Sequence, residues 1–308
     1  MKRFALYMLA LGLFINPLKL SGQLFPLSDH YIYDALSINP AFAGCHDALS
    51  ATILYRNQWV GFDDSPKKQM LSIHTPIKNN RIGIGALVEN YTIGIFKKTS
   101  LIGNYAFRME LQKGILAMGL GFGVVVNQIA WDELRVTDPN DVYLINSPVT
   151  AYLPALSAGT YYYTKKFFIG FSLPLFVGQQ LGGSSSENKT TYNFSSANYF
   201  LSGGYVFNIS RNVKFLPSML VKYYSDNVMQ IDYNAQLNIS DRIWFGAGYR
   251  SKNMLVAMLK CNISSQIQVA YSYNFDVGLL GRYRNGSHEV VLNYTFRYLR
   301  NVIGPRNF

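Results

Sequence analysis

The chain has 308 residues, 15% of them aromatic and only 15% charged, with 23 Tyr, 20 Phe and a formal net charge of +11. That charge falls to +8 once Lys2, Arg3 and Lys19 leave with the leader described below, and the remaining bases are scattered singly, which argues against a nucleic-acid-binding protein. Beyond the leader the longest apolar run, from Ile115 to Val126, is broken by Gly119, Gly121 and Gly123, so no segment reaches the roughly 20 apolar residues of a transmembrane helix.

Lys2 and Arg3 precede an apolar run from Phe4 to Ile15, and the small residues Ser21 and Gly22 precede Gln23. This is the charge, core and cleavage pattern of a secretory signal peptide, cut near Gly22/Gln23. With no cysteine near the cut, a lipoprotein is not expected. Residues 1–22 are therefore read as signal peptide, 23–48 as an N-terminal segment, and 49–308 as one domain, because a single pattern runs through them without a linker.

That pattern is alternation. In 49–59, Leu49, Ala51, Ile53 and Tyr55 oppose Ser50, Thr52, Arg56 and Gln58. It is clearest at 230–239, where Gln230, Asp232, Asn234, Gln236 and Asn238 face one way and Ile231, Tyr233, Ala235, Leu237 and Ile239 the other. After Ser240 and Asp241 it resumes to Arg250, which reads as a hairpin. Further strands are expected at 68–76, 81–92, 96–108, 114–127, 152–163, 167–173, 197–208, 213–224, 254–263, 266–275 and 288–297, about 14 in all. If the first strand runs outward, the even-numbered links are all short and the odd-numbered ones include every long one: 60–67, 128–151, 174–196 and 276–287.

An even number of two-faced strands, with short periplasmic turns and longer extracellular loops, describes an all-β fold: a transmembrane antiparallel β-barrel of the outer membrane. Lipid cannot satisfy open strand edges, so the sheet must close. Glycines on the wet side, among them Gly83, Gly85, Gly119, Gly170 and Gly246, leave room inside. Tyr105, Tyr163, Tyr224, Tyr249, Tyr273 and Tyr294 stand near strand ends, where interfacial girdles are expected.

The wet face carries charges of both signs, and a buried charge needs a partner. Arg56, Gln58, Glu89, Arg108, Lys222, Asp232 and Arg250 are thus candidates for a lumenal polar network. The segment ahead of the first strand must lie at the periplasmic mouth or fold into the lumen. Its Asn39-Pro40 pair favours an extended turn, and Phe42 is one large apolar side chain among Ala41, Ala43 and Gly44. Asn39, Pro40, Phe42 and Gly44 are candidates either for a plug or for a partner-docking surface.

A search for chemistry yields little. No two of the four histidines, His30, His46, His74 and His288, have metal-site spacing, and adjacent Cys45-His46-Asp47 side chains point apart in an extended chain. Ser72 and His74 share a wet face, but no Gly-x-Ser-x-Gly elbow accompanies them. Neither catalytic residue, metal nor cofactor is expected. Cys261 falls on the oily face and Cys45 precedes the first strand, so a disulfide is not expected either.

The sequence Asn39-Pro40-Ala41-Phe42-Ala43-Gly44, then Arg56-Asn57-Gln58-Trp59, Gly61-Phe62-Asp63 and Pro66, resembles the opening signature of the PorP/SprF family of outer-membrane proteins. Pro217-Ser218 with Lys222, Trp244-Phe245-Gly246 with Tyr249-Arg250, Tyr271-Ser272-Tyr273 and Gly286-Ser287-His288-Glu289 are similar to its later motifs. The chain departs from the pattern at Cys45-His46-Asp47 and in the loop 179–193. The resemblance implies a non-enzymatic barrel of the type IX secretion and gliding machinery. Such a barrel serves as receptor and surface anchor for a secreted adhesin with a type B C-terminal domain, or is linked to the translocon and its periplasmic ring lipoproteins, within outer-membrane lipid. The alternative that barrel architecture alone suggests is a porin-like or hydrophobic-solute channel.

Overall fold

The structure, a computed structural model, describes residues 28–77, 80–131, 149–177, 179–180, 190–191, 197–225, 227–251, 253–277 and 285–296. The expected signal peptide, the long-loop positions around Asn140 and Asn188, and Arg297 lie outside the described residues.

Fourteen strands form the wall. They are β1 (Leu49–Asn57), β2 (Lys67–Ile77), β3 (Ile82–Ile93), β4 (Phe96–Leu111), β5 (Gly114–Ile129), β6 (Val149–Tyr163) and β7 (Phe167–Val177). Next come β8 (Tyr199–Tyr205, continued by Phe207–Asn208), β9 (Val213–Tyr223), β10 (Met229–Ile239), β11 (Ile243–Arg250), β12 (Met254–Asn262), β13 (Ile267–Asp276) and β14 (Ser287–Phe296). Each pairs antiparallel with its sequence neighbours. The ring closes where β14 pairs with β1, from Leu49↔Phe296 to Asn57↔His288.

Burial follows the alternation with the polarity of a soluble protein inverted. In β10, Gln230, Asp232, Asn234, Gln236 and Asn238 are buried, whereas Tyr233, Ala235 and Ile239 are exposed. In β1, Ser50, Thr52 and Arg56 are buried while Ile53 is 55% exposed. Polar residues inside and apolar residues outside is the arrangement that lipid selects. The six links β2–β3, β4–β5, β6–β7, β8–β9, β10–β11 and β12–β13 are short turns. In the β10–β11 turn Ser240 and Asp241 both have positive φ, at 53°, the mirror-image turn geometry whose twist matches that of the strands.

Some inward positions depart from the sequence reading. Tyr163 and Tyr224 are not girdle residues: both are buried, Tyr163 accepting a hydrogen bond from Arg108 Nη2 at 2.7 Å and Tyr224 lying edge-on to Phe200. Leu54, Met70, Leu87, Ile102, Val125 and Leu153, inward positions of β1 to β6, form an apolar cluster with Ala270 and Val291. The lumen is therefore only partly polar. The β8 strand is interrupted at Val206, whose N–H bonds Lys166 O at 2.6 Å and whose side chain packs inward with Leu216 and Trp244. Cys45 and Cys261 are not joined in a disulfide.

Residues 28–48 lie inside this wall. Two short 3-10 turns shape them, Ala35–Ser37 capped by Asp34 and Pro40–Phe42 capped by Asn39, each cap accepting a backbone N–H two residues on. One face of the segment touches β3 to β7, and the other reaches β1, β2, β10, β11, β13 and β14.

Candidate functional site

The candidate site is the filled lumen, and the inner segment runs through it from one end to the other. Its first described residues meet the loop end of the wall. Asp29 bonds Arg56 Nη1 at 2.5 Å, Arg250 Nη2 at 3.0 Å, Ser272 Oγ at 3.0 Å and Asn274 Nδ2 at 3.3 Å. Glu289 accepts from Ser28 Oγ at 2.6 Å, from the backbone N–H groups of Asp29 and His30, and from Arg56 at 2.9 Å. Asp232 joins Arg250 Nε at 3.1 Å to Lys222 Nζ at 2.7 Å.

Three acids and three bases are thus linked in one buried chain of ion pairs. Removing charges from water costs more than a single pair returns, so such a cluster persists only where every charge also has hydrogen bonds and the total balances. Burial by itself raises the Asp29 pKa, but the guanidinium groups of Arg56 and Arg250 outweigh it and hold the carboxyl well below its ordinary 3.8. Burial holds the His30 imidazole below its ordinary 6.5, against the pull of Glu289 and Asp29.

Midway, Tyr31 accepts from Asn234 at 2.8 Å and Tyr33 donates to Gln236 at 2.6 Å. Lys260 Nζ sits 3.8 Å from the centre of the Tyr33 ring and 5.4 Å from that of Trp244, a cation–π contact inside the barrel. A cavity of about 20 Å³ between His30, Lys260 and the β1, β2, β13 and β14 wall has room for about one water.

The Asn39–Gly44 stretch then presses against wall glycines. A Cβ at Gly119 would stand 2.2 Å from Ala41 N, one at Gly83 2.0 Å from Ala43 O, and one at Gly159 2.2 Å from Asn39 Oδ1. Gly44 has φ +73° and approaches Gly83 so closely that a Cβ would stand 2.8 Å from its Cα. Asn39 Nδ2 donates to Thr160 O at 2.9 Å, and Phe42 is edge-on to His46, His74 and Tyr161. At the turn end Asp47 pairs with Arg108 at 2.6 Å.

Of the residues expected in a polar network, Arg56, Lys222, Asp232 and Arg250 are brought together. Glu89 is instead bridged to Lys68 at 2.7 Å, Arg108 belongs to the turn-end pair, and Gln58 stands just beyond β1 with its N–H bonded to Pro66 O. Asn39, Pro40, Phe42 and Gly44 are all buried. Sequence reasoning missed Asp29, which holds the cluster's centre, and Lys260. Ser72 donates its hydroxyl hydrogen bond to Asp34 of the inner segment, which helps hold that segment against β2. Among the described residues no group of three His, Cys, Asp or Glu side chains is placed to hold a metal ion.

A closed 14-stranded antiparallel barrel with an apolar outside defines the class: an outer-membrane β-barrel. Its fold matches the Ralstonia pickettii toluene transporter TbuX with a TM-score of 0.52 and 10% identity over 90% of this chain and 96% of that one. The Acinetobacter baumannii outer membrane protein Omp33 aligns at TM-score 0.46 and 9% identity over 82% of this chain and 100% of that one. Identities this low speak to fold alone. Residues 21–294 match the model of the type IX secretion system membrane protein PorP/SprF, and the chain belongs to that family. No curated protein matches the chain.

Proposed function

We propose that this barrel is a non-enzymatic receptor and surface anchor of the type IX secretion and gliding system. It holds a secreted adhesin through that protein's type B C-terminal domain and is linked to the translocon and its periplasmic ring lipoproteins. The observation that supports this reading over a porin is the lumen: a covalently attached segment crosses it, tied by Asp29 at the loop end and Asp47 at the turn end. A conducting barrel needs a water path, and here apolar side chains from six neighbouring strands and the buried segment fill the interior.

In this reading the signal peptide is cut near Gly22/Gln23, residues 23–48 form the N-terminal segment, and 49–308 the barrel. Asn39, Pro40, Phe42 and Gly44 act as the seat of a plug rather than as a docking surface, because all four are buried. Arg56, Lys222, Asp232 and Arg250 lock it. The test is purification of the tagged full chain from native outer membrane in mild detergent. The proposal expects a much larger secreted protein, or periplasmic lipoproteins, to come with it. A barrel that comes alone or as a homotrimer contradicts it.

A further inference from the structure

The six turns form the periplasmic rim, and five of them carry exposed basic side chains. These are Arg81, Lys113, Lys165 with Lys166, Arg211 and Arg242, one group at each successive turn from β2–β3 to β10–β11, and the β12–β13 turn carries none. The six turns contain one acid, Asp241, and it is tied to Lys214 at 2.7 Å. The links at the opposite end hold more acids than bases. Each basic group also stands within four positions of an outward, exposed apolar residue: Ile77, Leu111, Phe167, Ile209 and Ile243 in the same order.

An apolar side chain in hydrocarbon with a long cation just beyond it is the arrangement that lets Lys and Arg reach the headgroup layer. A protein partner would cover one sector of the rim. These cations follow the rim from β2 round to β11, at the level where the apolar band ends, and what lies against a barrel along so long an arc at that level is lipid. We propose that this basic arc binds the phosphates of anionic phospholipids in the periplasmic leaflet, through charge-assisted hydrogen bonds from ammonium and guanidinium groups. The selectivity is for headgroup charge, and it is independent of what the barrel anchors.

The experiment uses the full chain in nanodiscs of phosphatidylcholine containing a minor fraction of phosphatidylglycerol, with retained lipid identified by native mass spectrometry. Phosphatidylglycerol should be preferred about fivefold per bound headgroup at low salt. The preference should fall toward unity in high salt, because exposed charges are screened within about 10 Å at 0.1 M. It should also collapse in the combined variant Lys113→Gln, Lys165→Gln, Lys166→Gln and Arg211→Gln, and persist when the three lysines become arginine. Heat-dependent gel mobility verifies that each variant is folded, and the salt series on the unaltered chain stands even if the glutamine variant fails to assemble. No preference in the unaltered chain overturns the proposal. So does a preference that the neutralised variant retains, or a rim that ignores lipid charge and instead captures an acidic protein.

Discussion

Replacing Asp29 by Asn keeps the side chain's shape and removes its charge, which makes it the sharpest probe of the lumenal lock. The side chain is 1% exposed and contacts Arg56 and Arg250 at 2.5 and 3.0 Å. In the native cluster the acids Asp29, Asp232 and Glu289 balance the bases Arg56, Lys222 and Arg250. The variant leaves one buried cation uncompensated, and breaking a buried pair in this way costs about 3–5 kcal/mol. The assay is urea unfolding of the full chain refolded into liposomes, with Asp63→Asn in an exposed loop as the control. Adding Arg250→Gln removes the surplus charge, so the double variant should lose less than the sum of the two single losses. A loss below about 1 kcal/mol, in the range of surface ion pairs, would refute the claim that this cluster fastens the segment.

The same groups predict an acid limit. Asp29 has a folded pKa below its ordinary 3.8, so its contribution is complete above that value and is lost as pH falls through it toward the folded pKa. His30, also depressed, adds a decline that starts as pH falls below 6.5, where the unfolded chain takes up a proton that the buried imidazole does not. The urea midpoint should therefore fall from pH 7 to pH 3, and the His30→Gln variant should lack the upper part of that fall. For the wall, Leu237→Arg faces lipid and should cost about 2–4 kcal/mol if it lies near the midplane. Asn234→Arg faces the lumen, where it disrupts the hydrogen bond to Tyr31. Refolding yields in liposomes should separate the two, and equal effects would contradict the register.

The wall was legible because lipid imposes a period-2 pattern that each strand carries locally, as β10 does from Gln230 to Asn238. The loop asymmetry was legible for the same reason, since link length is a property of the chain itself. What escaped was decided by pairing across the lumen. Asp29 sits in an irregular segment with no periodicity, and its partners Arg56, Arg250 and Asn274 are 27, 221 and 245 residues away. Leu54 and Leu153 sit at inward positions that alternation assigns to polar residues, and only the apolar cluster they join makes sense of them. Tyr163 and Tyr224 stand near strand ends like girdle residues, but parity turns them inward. The wet-side glycines were recognisable as space. That Gly83, Gly119 and Gly159 make space for Ala43, Ala41 and Asn39 in particular needed the fold.

The central claim is that this barrel is plugged by its own N-terminal segment and holds partners without conducting. Planar-bilayer conductance of the purified full chain tests it most directly, with Gly119→Leu as the companion. A leucine there has no room against Ala41 N, 2.2 Å from where its Cβ would stand, and overpacking of this kind costs about 1–3 kcal/mol or displaces the neighbour. The account predicts a silent native barrel and a variant that opens steps of ion current as the segment is pushed from its seat. Steady, open conductance from the native protein, unchanged by Gly119→Leu, would contradict it.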